Sequence, residues 1–309
     1  MTGRRTLNSL TPPLASSVVA WIIMLTASSL SSIFWRLLIG EEPYWWYWIQ
    51  SALLLAFFLL TFIKIELKPL RGFILILLII YFLGYGNPAF PWGLIPLIRS
   101  SSAWVSWSNQ APWVLSNMAL HLLRLMPALV IMAFLLLSGM RREDFFLAKG
   151  RIDAPAEPSR LIGMKRPQPW TRIGTIFVIV FGIGTFLSLL LSSHPSMSTF
   201  MQALPLIPVA ILIATINAFN EEFTLRAAPL STLCPAIGGQ NSLWITTVFF
   251  GLGHFYGVPS GVLGVILSSF LGWFLGKSLL ETKGFFWAWL SHFCSDIFIF
   301  TFAAMTAVA

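Results

Sequence analysis

The chain has 309 residues, 57% of them hydrophobic and only 10% charged, with a mean hydropathy of +0.82. A soluble globular chain is about a quarter charged, so these values exclude a water-soluble domain and indicate a polytopic membrane protein. The net charge of +8 rests on basic residues that flank apolar segments and form no aromatic-interleaved surface, which excludes nucleic acid as a partner and points to topology signals and contacts with anionic lipid of the bilayer.

A membrane-spanning helix needs about 20 apolar residues. The hydropathy pattern predicts helices over 14–38, 44–64, 72–88, 112–139, 173–193, 200–228, 241–256, 260–281 and 285–306. The fold class expected is an all-α polytopic transmembrane bundle of eight or nine spans, because the third and seventh segments are short enough to be tilted, broken or partly re-entrant. Arg4 and Arg5 precede the first segment, and the apolar run from Leu14 to Ile39 exceeds the roughly 7–15 residues of a signal h-region. It reads as an uncleaved span. Glu41 and Glu42 precede Pro43 without a basic partner four residues on and read as a solvated loop. Lys64, Lys68 and Arg71 mark a cytoplasmic turn, and the Pro- and Trp-rich stretch 85–110 faces outside. His121 and Arg124 share one face of the fourth segment, as structural residues or as the lining of an access path.

Segment 140–172 is rich in proline and carries Arg141, Arg142, Lys149, Arg151, Arg160, Lys165, Arg166 and Arg172 against four acids. It reads as a flexible cytoplasmic linker between two membrane halves, 1–139 and 173–309. The positive-inside rule then puts the N-terminus in the cytoplasm, with the chain in a plasma (inner) membrane. His194 before Pro195 reads as solvated, and Cys234 and Cys294 suggest no disulfide framework.

The last third is different. Glu221, Glu222, Arg226, His254, His292 and Asp296 all sit in or beside long apolar runs. A charged group in hydrocarbon costs roughly 2.5–3.5 kcal/mol on insertion scales, so such residues face polar cavities and pair with one another. Glu222 and Arg226 are helical i,i+4 neighbours that can form an ion pair, while Glu221 points about 100° away. Read alone, the cluster is equally a solvated helix end. Phe250 and His254 share a helix face one turn apart, as do His292 and Asp296. Asp296 can accept from His292 and fix its tautomer, or the two can be a self-satisfied structural pair. A carboxylate in low dielectric suits a general base, so the set reads as a buried hydrolytic site or a proton or ion path. Glycines 253, 257, 261, 264, 272 and 276 fall mostly three or four apart and let helices approach closely around it.

In order and spacing these residues resemble the CPBP family, the CAAX-processing and bacteriocin-processing (Abi) intramembrane endopeptidases, whose pattern is EExxxR, FxxxH, then HxxxN or HxxxD. Here it reads Glu221-Glu222…Arg226, Phe250…His254 and His292…Asp296, with FFGLGH around the second motif and Leu271-Gly272-Trp273 before the third. The resemblance covers about residues 200–300. It implies peptide-bond hydrolysis within the membrane by a glutamate-activated water. Glu221 and His254 would bind and deprotonate the water, Glu222 with Arg226 would shape the site, His292 and Asp296 would stabilise the oxyanion, and Phe250 would pack the catalytic helices. An ionised Asp repels an oxyanion where an Asn amide would donate, so Asp296 must be protonated or act only by orienting His292.

The resemblance implies no cofactor, and a zinc ion on two His and a Glu is the alternative that the residue types leave open. The expected partners are a membrane-anchored or lipidated substrate and the bilayer, with the oligomeric state unassigned. The competing functions are a non-catalytic membrane regulator or immunity protein on the same scaffold and a proton-coupled transporter. The transporter would show inverted repeats, and the sequence has no such symmetry.

Overall fold

The computed structural model describes residues 14–84, 93–257 and 259–308. Arg4 and Arg5, the last residues of the third predicted helix and part of the 85–110 loop lie outside these.

The architecture is all-α, as expected. In the N-terminal half α1 (Leu14–Ala27) and α2 (Leu30–Ile39) are an apolar pair bent by 49° at Ser28-Ser29. Gly40, with a left-handed φ of 91°, closes α2. Then come α3 (Tyr44–Ile63), α4 (Arg71–Leu83), two short helices α5 (Leu94–Ser100) and α6 (Ser102–Gln110), and the pair α7 (Trp113–Arg124) and α8 (Met126–Leu137). Pro127 lies in the first turn of α8. It has no N–H to give to the ladder, so a hydrogen bond is missing where α7 passes into α8, while Trp113–Leu137 remains one membrane-length helical stretch. The C-terminal half holds α9 (Trp170–Ser193), α10 (Met197–Ala203), α11 (Ile207–Glu222), α12 (Ala228–Ile237), α13 (Gly239–Gly253), α14 (Gly261–Thr282) and α15 (Phe286–Thr306).

Every one of the nine predicted segments contains helix. Among the described residues six helical stretches are long and apolar enough to cross a bilayer, or seven if the bent α1–α2 pair counts as one. The two that fall short are α4 and α13, the third and seventh predicted segments. At 13 and 15 residues they reach only about 20 and 22 Å. Both are inner helices: Phe73, Ile76 and Leu77 of α4 and Ile245, Phe249 and Phe250 of α13 are buried. Large apolar side chains on the outer helices stay exposed, such as Leu38, Ile63, Leu137 and Val262, as lipid contact requires. One hydrophobic cluster runs through both halves, from Leu54 and Phe73 to Phe223, Phe274 and Trp287.

Segment 140–172, expected as a flexible linker, is instead an ordered strap. Phe145, Ala156 and Trp170 are fully buried, and β1 (Pro155–Ala156) pairs antiparallel with β2 (Gln168–Pro169). The strap is bonded to the α14–α15 turn: Arg151 N donates to Thr282 O at 2.8 Å and Phe285 N to Ala148 O at 2.7 Å. The indoles of Trp170 and Trp287 donate to Glu281 Oε2 and Ile152 O, each at 2.8 Å. A Cβ on Gly150 would come within 2.6 Å of the Gly284 backbone, so only glycine permits this crossing. Proline and charge made the segment look solvated; its buried aromatics hold it down.

Candidate functional site

The polar motif at 220–226 does not end its helix. The chain passes from α11 through a π-helical turn, Phe223–Ala227, into α12, giving a continuous helical stretch over Met197–Ile237. Such turns insert one residue into an α-helix and recur at functional sites. All five residues of this turn are buried, and the solvated-end alternative is thereby excluded.

Glu222 and Arg226 are completely buried and paired with each other. The guanidinium also lies over the Phe250 ring, 4.3 Å from its centroid, a cation–π contact. Gly276 on α14 makes room for it: a Cβ there would meet Leu243 at 2.6 Å and the Arg226 stem at 3.5 Å. The second carboxylate oxygen of Glu222 faces His292 Nδ1 at 2.7 Å. A carboxylate only accepts, so Nδ1 carries a proton. Glu222 therefore joins the π turn, α13 and α15.

His292 is oriented by this bond, while Asp296, the neighbour expected from the spacing, stays within ion-pair range of its other nitrogen. The distance from His292 Nε2 to Asp296 Oδ1 is 3.6 Å, too long for a hydrogen bond. The two side chains, on successive turns of one face, form an ion pair without a hydrogen bond when His292 is charged. Asp296 Oδ2 instead accepts from Asn217 Nδ2 at 2.9 Å. Asn217 was not singled out in the sequence, and one Asn in an apolar helix offers little signal.

Glu221 turns away from Glu222, as the helix geometry predicts. Its Oε1 accepts from Arg124 Nη2 and from Asn217 Nδ2, each at 3.3 Å, and its Oε2 lies 3.8 Å from His292 Nε2. Of the two alternatives for Arg124, the structure adds a third: it pairs with the site itself. His121 keeps its bond within α7, Nδ1 to Asn117 O at 2.8 Å, and packs edge-on against Phe300.

His254 follows α13. Its Nδ1 faces the Phe250 carbonyl at 2.8 Å. Because a carbonyl only accepts, Nδ1 carries a proton, so a lone pair of the ring can lie only on Nε2. The Phe250 ring lies between the two imidazoles, its centroid 4.3 Å from His254 and 6.4 Å from His292. Glu221 and His254 are partly open, whereas Glu222 is sealed. His292 and Asp296 lie 6 and 10 residues into α15, about 9 and 15 Å along a helix long and apolar enough to cross a bilayer. Among the described residues no group of three or more His, Cys, Asp or Glu is placed to hold a metal ion.

Away from this centre, Glu42 is also corrected. Glu41 is exposed as expected, but Glu42 is half-buried: Ser32 Oγ donates to it at 2.9 Å, and burial pushes its carboxyl above the ordinary carboxylate range. Cys234 and Cys294 are free thiols.

Fold and site together define a polytopic helical membrane protein with a buried carboxylate–histidine–guanidinium centre. Residues 203–298, which contain all three motifs, match the family of type II CAAX prenyl endopeptidase Rce1-like proteins. Over that part, about a third of its length, the chain is similar to this family, the one its motifs resemble, and at family level the likeness supports an intramembrane endopeptidase. No curated protein and no solved structure matches the chain.

Proposed function

We propose that the protein hydrolyses a peptide bond of a membrane-anchored or lipidated protein, with a water activated by Glu221 and His254 and without a cofactor. The observation that carries this reading is the difference in exposure between adjacent carboxylates: Glu221 is partly open and Glu222 is sealed by Arg226 and His292. A water between Glu221 Oε2 and His254 Nε2 gives a proton to the carboxylate and attacks the scissile carbonyl. As an imidazolium, His292 presents its Nε2–H to the developing oxyanion while Glu222 fixes the ring through Nδ1. Collapse of the tetrahedral intermediate returns the proton from Glu221 to the leaving amine. Asp296, held by Asn217, acts on charge balance rather than as a donor. The proposed substrate class is a C-terminally prenylated peptide, after the family's description, and the strap and N-terminus are proposed to face the cytoplasm.

The experiment is cleavage of a farnesylated peptide by full-length protein in vesicles. Glu221→Gln keeps the size and removes the base, and His254→Ala removes its partner. Each is expected to lower kcat by about 10²–10⁴, and the double variant should lose little more, because groups acting as a unit are non-additive. A strong chelator should leave the wild-type rate unchanged. Folded Glu221→Gln with wild-type cleavage would refute the reading and favour a non-catalytic scaffold. Zinc-dependent loss and recovery would favour a metalloenzyme.

A further inference from the structure

Arg124 belongs to neither the matched segment 203–298 nor any of the three motifs. It is the last residue of α7, which packs against α11. From there its Nη2 reaches Glu221 Oε1, 97 residues along the chain. Asn217 donates to the same oxygen. Oε1 is thus held twice, and Oε2, 3.8 Å from His292 Nε2, is the oxygen left to meet a water. The charges lead to the same residue. Glu221, Glu222 and Asp296 face the guanidinium groups of Arg124 and Arg226 and the His292 ring, and Arg226 is already committed to Glu222. Without Arg124 the remaining carboxylates lack a permanent countercharge in a low-dielectric setting, where a charge pairs or is neutralised by a proton. A protonated Glu221 cannot take a proton from water.

We propose that Arg124 is a positioning residue of the hydrolytic centre: it keeps Glu221 ionised and turned with Oε2 toward the substrate, so that the N-terminal half completes the site. This rests on Glu221 as the base. It gives α7, an element outside the family match, a part in the chemistry.

The test measures kcat, KM and thermal unfolding of full-length Arg124→Gln and Arg124→Lys in vesicles on the farnesylated peptide, beside Glu221→Gln. Arg124→Gln is expected to lose about 10²-fold in kcat, the lower end for removing general-base action, with KM within about threefold, because only the base is affected. Arg124→Lys keeps the charge on a different head and should recover most of the loss, ending three- to tenfold below wild type. Wild-type kcat in Arg124→Gln, a loss confined to KM, or Arg124→Lys no better than Arg124→Gln would each overturn the proposal. If Arg124→Gln does not fold, Arg124→Lys decides alone: the small kcat loss at unchanged KM supports it, and a wild-type kcat overturns it. If Glu221→Gln cleaves normally, the reading of Glu221 itself fails. If Glu221→Gln is dead and Arg124→Gln is not, only the assignment of Arg124 fails.

Discussion

Replacing Glu222 by Gln tests whether the centre is as dry as its geometry indicates. The change keeps the shape and leaves an oxygen that still accepts from His292 Nδ1. The other carboxylate oxygen becomes an NH2 that faces the Arg226 guanidinium donor to donor, so the pair loses its charge and its hydrogen bond together. That guanidinium is fully buried, its Nε and Nη2 make no hydrogen bond, and its remaining support is the Phe250 ring. Removing one partner of a buried ion pair costs about 3–5 kcal/mol, because the other charge is stranded. Total stability is about 5–15 kcal/mol, so this single substitution should remove a large share. Glu222→Leu with Arg226→Met fills the volume without charge and should cost less than Glu222→Gln alone. Unfolding in detergent can be followed with a thiol-reactive dye, since Cys234 and Cys294 are free and only partly exposed. Glu222→Gln within about 1 kcal/mol of wild type would show that water reaches the pair. A double variant as unstable as the sum of the singles would show that the two residues are not coupled.

Two further outcomes are expected. Gly251→Ala would place a Cβ 1.9 Å from Ser269 Oγ and 2.9 Å from Val265 O. The backbone oxygen cannot rotate away, so α13 and α14 should separate at a cost of about 1–3 kcal/mol, read by thermal unfolding and by a fall in cleavage, since His254 is three residues on. Unchanged stability would refute the close packing. Single cysteines at the exposed strap positions Glu157 or Lys165, in a background without Cys234 and Cys294, should resist an impermeant thiol reagent in intact cells and react after permeabilisation. Labelling in intact cells would reverse the proposed orientation.

The sequence exposed those parts of the site that are improbable in hydrocarbon. Glu221, Glu222, Arg226, His254, His292 and Asp296 were legible because each is costly there unless paired, and the Glu222–Arg226 pair followed from helix spacing alone. The wiring was less legible. Spacing ranks the neighbour four residues away, so Asp296 looked like the partner of His292. The hydrogen-bonded partner, Glu222, comes from another helix 70 residues earlier. Arg124 was visible as a charge but not as a contact of Glu221, and Asn217 was not visible at all. The strap was misread because its composition resembles solvated loops, while its fixing points are a few buried rings and backbone groups without a compositional signature. The π turn left no mark that periodicity could detect.

The strap bears on how firmly the helices of the site are anchored. Backbone bonds tie it to the turn between α14 and α15, and the Gly150–Gly284 crossing brings the two backbones too close for any larger residue. The Trp287 indole, five residues before His292 on α15, donates to Ile152 O of the strap. The strap carries no residue of the hydrolytic centre, yet it fixes the start of the helix that carries His292 and Asp296, as a clamp on a rail sets everything mounted further along it.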